Sequence, residues 1–286
     1  MLSLEMLVVD GLAVALLYIG LSPRVATPIY RTMLFHPARY PEGNYDVETI
    51  DGIQPQDVFF ESADGTRLHG WYFKNKSAGK TIVFHHGNAA NLSTRLGLIQ
   101  LQLRAGASVF IYDYRGFGRS EGLPDVQGIC DDGTAAFDYL VNQEGLPADS
   151  IINYGESLGT GVAGQVSTVR PGAGLILQSG FTSLRKIGSE VVPWIRIFPN
   201  TLFPQPDLDN LAIVTRAHPP LMIMHGMKDN VVPFEHGKLL ADRATEPKRF
   251  IQFTEAGHND ISFMNPDRYE AGIREFLASL DVPARC

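Results

Sequence analysis

Short apolar runs alternate with helical periodicity over most of the chain. Thr81–His85, Ser108–Tyr112, Ile151–Tyr154, Gly174–Gln178, Leu221–His225 and Arg249–Phe253 are brief and dominated by apolar residues. Between them apolar positions recur at spacings of three and four. Leu92, Leu96, Ile99 and Leu103 mark one such face, and Val126, Ile129, Cys130, Phe137, Leu140 and Val141 another. Pro233–Ala244 reads as a further helix, with proline suited to the first turn. The last helix opens near Asn265-Pro266 and carries Tyr269, Ile273, Phe276, Leu277 and Leu280 on one side. Strands without polar alternation are buried on both faces, so the pattern predicts a parallel sheet covered by helices. Val58–Phe60 and Leu68–Phe73 flank Asp64-Gly65, which predicts a hairpin ahead of the six parallel strands. The expected fold is α/β, with an eight-stranded, mostly parallel sheet and helices on both faces.

Two stretches break the rhythm. Leu7–Leu21 is nearly all apolar, with Glu5 and Asp10 interrupting and Arg24 and Arg31 following. A spanning helix wants about 20 apolar residues. Three readings stand: a membrane anchor, a helix packed on the domain, and a signal peptide, which the lack of an early Lys or Arg disfavours. As an anchor, its downstream basic residues would keep the remainder cytoplasmic; otherwise the chain is expected to be cytoplasmic. Tyr30–Gln56 is proline-rich and aperiodic, a connecting arm. Ser179–Pro220 contains Trp194, Ile195, Ile197, Phe198, Leu202 and Phe203 among several prolines. It falls between two strands at the sheet edge where ligands bind. It reads either as a small cap or as a packed connection. The implied organisation is an anchor over 1–24, an arm over 25–56 and one domain over 57–286 with a cap insertion at 179–220.

Composition narrows the function classes. The 286 residues are 44% hydrophobic and 19% charged with a net charge of −7, ordinary for a globular protein and without the basic surplus that nucleic-acid binding needs. The two cysteines, Cys130 and Cys286, make no disulfide framework and read as free thiols. No zinc-type spacing appears, and neither metal nor cofactor is expected.

The candidate chemistry begins with a serine between glycines, Gly155-Glu156-Ser157-Leu158-Gly159, set between an apolar run and a segment that can be helical. Strand, sharp turn and helix make a nucleophile elbow. Gly118-Arg119-Ser120-Glu121-Gly122 has the same spacing. Its strand ends several residues earlier and Pro124 follows, so Ser120 reads as a loop residue. A serine hydroxyl needs a base, and the base needs an orienting carboxylate. Asp229 follows one later strand and His258 the last, giving the order Ser157, Asp229, His258. Singly each has a plain alternative: a turn serine, a turn former like Asp207, Asp209 or Asp260, one histidine of eight. Together, at three strand ends, they read as a triad. The Leu158 N–H, at the elbow, and that of Asn88, after His86-Gly87, are the candidate oxyanion donors. His86 and His225 read as supports of loop geometry. Trp194, Ile195, Phe198 and Phe203 are the candidate substrate contacts.

These motifs, together with Asp113-Tyr114-Arg115-Gly116-Phe117-Gly118-Arg119-Ser120, fall in an order that resembles the α/β-hydrolase fold from about Val58 to Leu280. Within it the chain is similar to the small, often membrane-anchored hydrolases of the Bem type, a group that resembles the acyl-protein depalmitoylases. The apolar N-terminus and Phe35-His36-Pro37 fit that group; the N-terminal cysteine cluster of the depalmitoylases is missing. The resemblance implies a cofactor-free serine hydrolase of esters or thioesters. The alternatives are an aminopeptidase or amidase, and a catalytically silent, membrane-tethered binding module.

Overall fold

The computed structural model describes residues 4–281, the side chains of residues 4–8 excepted. Helices α1 (Leu4–Gly20) and α2 (Thr27–Leu34) lead into β1 (His36–Pro37), followed by the hairpin β2 (Pro55–Glu61) and β3 (Arg67–Phe73). Then come β4 (Thr81–His85), β5 (Ala89–Ala90), α3 (Leu96–Arg104), β6 (Ser108–Asp113), α4 (Val126–Asn142), β7 (Ile151–Glu156), α5 (Leu158–Val169) and β8 (Gly174–Gln178). Helices α6 (Leu184–Val191) and α7 (Asn210–Val214) precede β9 (Leu221–Gly226), α8 (Phe234–Arg243), β10 (Lys248–Phe253), α9 (Ile261–Met264) and α10 (Pro266–Leu280).

The large sheet has eight strands in the order β10-β9-β8-β7-β4-β6-β3-β2. Only the β2–β3 and β3–β6 pairs are antiparallel. Every residue of β4, β6, β7, β8 and β9 is buried, which is why their sequences show no alternation. The pleat still sorts side chains by parity. Ile82, Phe84, Val109, Ile111, Ile152 and Tyr154 turn to one face and pack with residues of α3 and α10. Val83, Phe110, Tyr112 and Ile151 turn to the other and pack with α4 and α5. Burying a large apolar side chain contributes about 1.5–3 kcal/mol, so these two layers hold the sheet. The exposed positions of β2 and β10 mark them as edges.

After β4 and β6 the chain crosses back to lay β7 on the other side of β4. The carboxyl ends of β4 and β7 therefore meet at a topological switch point, where α/β sheets hold ligands. The arm departs from expectation at its start, because residues 27–34 are helical. Pro28 sits in the first turn of α2, where its missing N–H costs nothing. Among the described residues no helix is long and apolar enough to cross a membrane. Cys130 is a buried free thiol; Cys286 lies outside the described residues.

Candidate active site

The sharp turn after β7 is built around two close approaches. A Cβ at Gly155 would stand 2.3 Å from Gly159 O, and one at Gly159 would stand 1.9 Å from His85 O. Only glycine fits at either place. Ser157 between them has φ 53° and ψ −116°, a strained backbone for a residue with a Cβ. Its N–H donates to Gln178 O at 2.9 Å, and Leu158 begins α5 directly behind it. The side chain of Glu156 is fixed by Arg95, whose Nε donates to Oε2 at 2.7 Å.

Ser157 Oγ lies 2.9 Å from His258 Nε2, and His258 Nδ1 lies 2.7 Å from Asp229 Oδ2. A carboxylate only accepts, so Nδ1 carries the hydrogen and Nε2 presents its lone pair to the serine. Asp229 is oriented by its own loop: Oδ1 accepts the N–H groups of Val231 (2.9 Å) and Val232 (2.8 Å). His225 Nε2 donates to Val232 O at 2.9 Å and lies 3.4 Å from Asp229 Oδ2. Burial would raise the Asp229 pKa, but hydrogen bonds from His225, His258 and Val232 hold it below the ordinary carboxylate range. Asp229 is therefore a charged carboxylate held in place beside His258 Nδ1. Ser120 is engaged elsewhere. Its buried Oγ donates to Asp113 O (2.7 Å) and accepts from His69 N–H (2.9 Å).

The loop after β4 comes up beside the serine: a Cβ at Gly87 would be 3.5 Å from Ser157 Cβ. The arm clamps this loop. β1 pairs in parallel with β5, His36 N–H donates to Asn88 O (2.8 Å), and Asn88 Nδ2 donates to Leu34 O (2.8 Å). Arg95 adds a bond from Nη2 to Ala89 O at 3.3 Å, so one guanidinium bridges the elbow and the loop.

Ser157, Leu158 and Asn88 open on a cavity of about 320 Å³ with mostly apolar walls. Helix α2 supplies Tyr30, Met33 and Leu34, and Ser179–Pro220 supplies Ile187, Ile195 and Phe203 among others. Of the four candidate substrate contacts, Ile195 and Phe203 line the cavity; Trp194 and Phe198 do not. Trp194 is 52% exposed and packs on Tyr30, while Phe198 is buried against Tyr18. The cause is the tight turn Pro193–Ile197, whose three-residue repeat sends neighbouring side chains in different directions. The α2 contribution escaped sequence reasoning, although Tyr30, Met33 and Leu34 have helical spacing behind Pro28. A larger groove, about 630 Å³, runs between β2 and α4 and shares no lining residue with the Ser157 cavity. Among the described residues no cluster of His, Cys, Asp and Glu is arranged to hold a metal ion.

Comparison with known proteins agrees with this architecture. Residues 76–217 match the family described as serine aminopeptidase, S33. An uncharacterized protein of Mycobacterium tuberculosis is 34% identical over 256 residues, 88% of each chain. The alpha/beta hydrolase domain-containing protein WAV2 of Arabidopsis thaliana is 30% identical over 243 residues, 78% of each chain. Among solved structures, the Pyrococcus furiosus esterase Pf2001 superposes with a TM-score of 0.72 at 22% identity, covering 86% of this chain and 97% of that one. The strand order, the elbow at the switch point and these relatives lead to one assignment: the chain belongs to the α/β-hydrolase family.

Proposed function

We propose that the protein is a serine hydrolase that cleaves carboxylic esters or thioesters with an apolar acyl group through an acyl-enzyme on Ser157. The observation that carries the reading is the hydrogen-bonded chain from Asp229 through His258 to Ser157, ending at an apolar cavity. In this mechanism His258 Nε2 takes the Ser157 proton as Oγ attacks the carbonyl carbon. Asp229 stabilises the resulting imidazolium. The N–H groups of Leu158 and Asn88 receive the oxyanion. His258 then gives its proton to the leaving group, and a water activated by the same ring releases the acid. A preorganised charge partner and two oxyanion donors need no metal.

The family description favours a second reading, aminopeptidase or amidase. An aminopeptidase must hold a substrate ammonium, and the residues described around the Ser157 cavity include no Asp or Glu. This favours the ester reading. Both share the nucleophile, so substrate decides. Labelling by a fluorophosphonate, followed by turnover of p-nitrophenyl esters, acyl thioesters and aminoacyl amides, tests the two. Fast ester or thioester turnover is expected. Absence of labelling would leave the silent binding module, and amide turnover alone would favour the peptidase.

For localisation we infer that the exposed apolar helices α1 and α2 rest on a lipid surface. The support is the exposed Val9, Leu12, Val14, Leu16 and Leu17 of α1, Ile29 and Met33 of α2, and Val25 between them.

A further inference from the structure

Helix α6 walls the Ser157 cavity with Leu184, Ile187, Gly188 and Val191, yet it is only lightly packed. Its only buried residue is Ser189, and Leu184 and Ile187 are half-buried. A helix of eight residues takes its stability from what it is fastened to. Most of its side-chain hydrogen bonds stay within Ser179–Pro220. Arg185 Nη2 donates to Phe198 O (3.3 Å), Ser189 Oγ donates to Arg185 O (2.6 Å), and Lys186 pairs with Glu190 (2.7 Å). Glu190 also reaches outside the segment. Its Oε2 lies 2.9 Å from Nε2 of His236 in α8.

The His236 ring is 4% exposed and makes a second contact with the same segment. The N–H and Oγ1 of Thr182, two residues before α6, each lie 3.0 Å from its Nδ1. A backbone N–H only donates, so Nδ1 accepts; a carboxylate only accepts, so Nε2 donates to Glu190. One ring thus meets both ends of α6, with Thr182 ahead of its first turn and Glu190 in its last.

The ring is itself firmly seated. His236 stands in the first turn of α8, directly after the Asp229 loop, and its backbone N–H donates to Pro233 O at 2.9 Å. A Cβ at the next residue, Gly237, would stand 2.3 Å from His225 Nδ1. Helix α8 therefore packs closely on the ring that bonds to Val232 O in the Asp229 loop. Val231 and Val232 of that loop line the cavity too, whereas Thr182, Glu190 and His236 do not. His236 joins two walls of the cavity without touching what the cavity holds.

We propose that His236 is a positioning residue that sets acyl selectivity: bonded to Thr182 and Glu190, it ties α6 to the helix behind the Asp229 loop and so fixes the wall against which an acyl chain is bound. The proposal rests on the serine-hydrolase reading and extends it from the reacting atoms to the choice of substrate. A wall held in place before binding asks no ordering of the ligand. A released wall must be ordered by the acyl chain itself, at the expense of affinity. An acetyl group has almost no chain to meet that wall and should not register the difference.

The test compares steady-state kinetics on p-nitrophenyl acetate and octanoate for wild type, Glu190→Ala and Glu190→Gln, with active sites counted by fluorophosphonate. Glu190→Ala removes the acceptor and should raise KM for octanoate by about 5- to 10-fold, with kcat and the acetate kinetics held. Glutamine still presents an oxygen to Nε2–H, so Glu190→Gln should restore most of the octanoate KM. An unchanged octanoate KM in Glu190→Ala overturns the proposal. So does an equal loss on acetate and octanoate, which general destabilisation would give. A Glu190→Gln protein as impaired as Glu190→Ala overturns it as well, because the bond would then not matter. Hydrogen exchange of the wild type needs no variant to fold. The hydrogen-bonded amides of α6 should be protected to a degree comparable with those of α8, and an α6 that exchanges freely would mean that the ring does not hold it. Wild-type protein that takes no fluorophosphonate and turns over no ester or amide would instead sink the serine-hydrolase reading, while exchange would still decide the tie.

Discussion

Ser157 and Ser120 have the same flanking glycines and opposite circumstances. Ser157 holds a positive φ and directs its hydroxyl to His258, whereas Ser120 directs its hydroxyl to buried backbone groups. Ser157→Ala should therefore abolish fluorophosphonate labelling and turnover while leaving the melting transition nearly unchanged. Ser120→Ala should keep the labelled site and lower stability by about 1–3 kcal/mol, because it leaves the His69 N–H and Asp113 O unpaired. Labelling that survives Ser157→Ala would sink the nucleophile assignment. His85 offers a second test. Burial drives its pKa down to about 3, against about 6.5 in an unfolded chain. The folded state excludes the proton, so this contribution is complete above pH 6.5 and shrinks as pH falls toward 3. Near pH 5 the loss amounts to about 2 kcal/mol relative to pH 8. Denaturant titrations of wild type and His85→Gln at both pH values should show the variant with the flatter pH dependence; equal slopes would refute the argument. Ser157, Asp229 and His258 were legible because a hydroxyl, a base and a carboxylate must follow strand ends in an order that spacing reveals. The buried partners of Ser120 were not, because they come from β3 and β6, which are distant in the chain, and no local pattern joins them.

At the scale of elements, buried strands and amphipathic helices could be read directly, since their period of burial is written into the apolar positions. Helix α2 could not. It is eight residues long and has no fully buried residue, so its apolar positions serve a cavity and a surface, not a core, and give only a weak face. The same distinction explains the segment after β8. Apolar content alone put Trp194, Ile195, Phe198 and Phe203 on an equal footing, but a tight turn decides direction residue by residue, and of these only Ile195 and Phe203 line the cavity. This leads to a paired test. Ile195→Ala removes three carbons from the cavity wall, and each buried methylene is worth about 0.8 kcal/mol, or roughly fourfold. Ile195→Ala should lower kcat/KM for butyryl and longer p-nitrophenyl esters by about tenfold or more, with little effect on acetate. Trp194→Ala should leave the chain-length profile in place. An unchanged profile in Ile195→Ala, or a collapse in Trp194→Ala, would mean that the acyl group lies elsewhere.

The whole molecule carries an asymmetry that neither its core nor its net charge explains. Among the described α1 side chains only Tyr18 is part-buried; it stacks on Phe198 and its hydroxyl donates to Ile197 O. The apolar residues before it stand in the open, and those of α2 with Val191, Trp194 and Ile197 continue the patch beside the cavity. An exposed apolar surface of this extent marks an interaction site. The sequence left an anchor, a packed helix and a signal peptide open here; among the described residues no helix is long and apolar enough to cross a membrane. A short helix that is apolar nearly all round but for Asp10, followed by Arg24 and Arg31, suits contact with lipid, with the basic residues toward anionic lipid. The net charge of −7 works against anionic membranes, so the apolar contact must supply most of the affinity. Full-length protein should therefore float with phosphatidylcholine vesicles and somewhat more with vesicles containing phosphatidylserine. Leu12→Asp with Leu16→Asp should leave the protein folded and strongly reduce flotation, since each charge placed at the centre of the apolar layer costs about 2.5–3.5 kcal/mol. Flotation that survives the double substitution, or protein that stays with the soluble fraction and forms concentration-dependent dimers instead, would assign the patch to another partner.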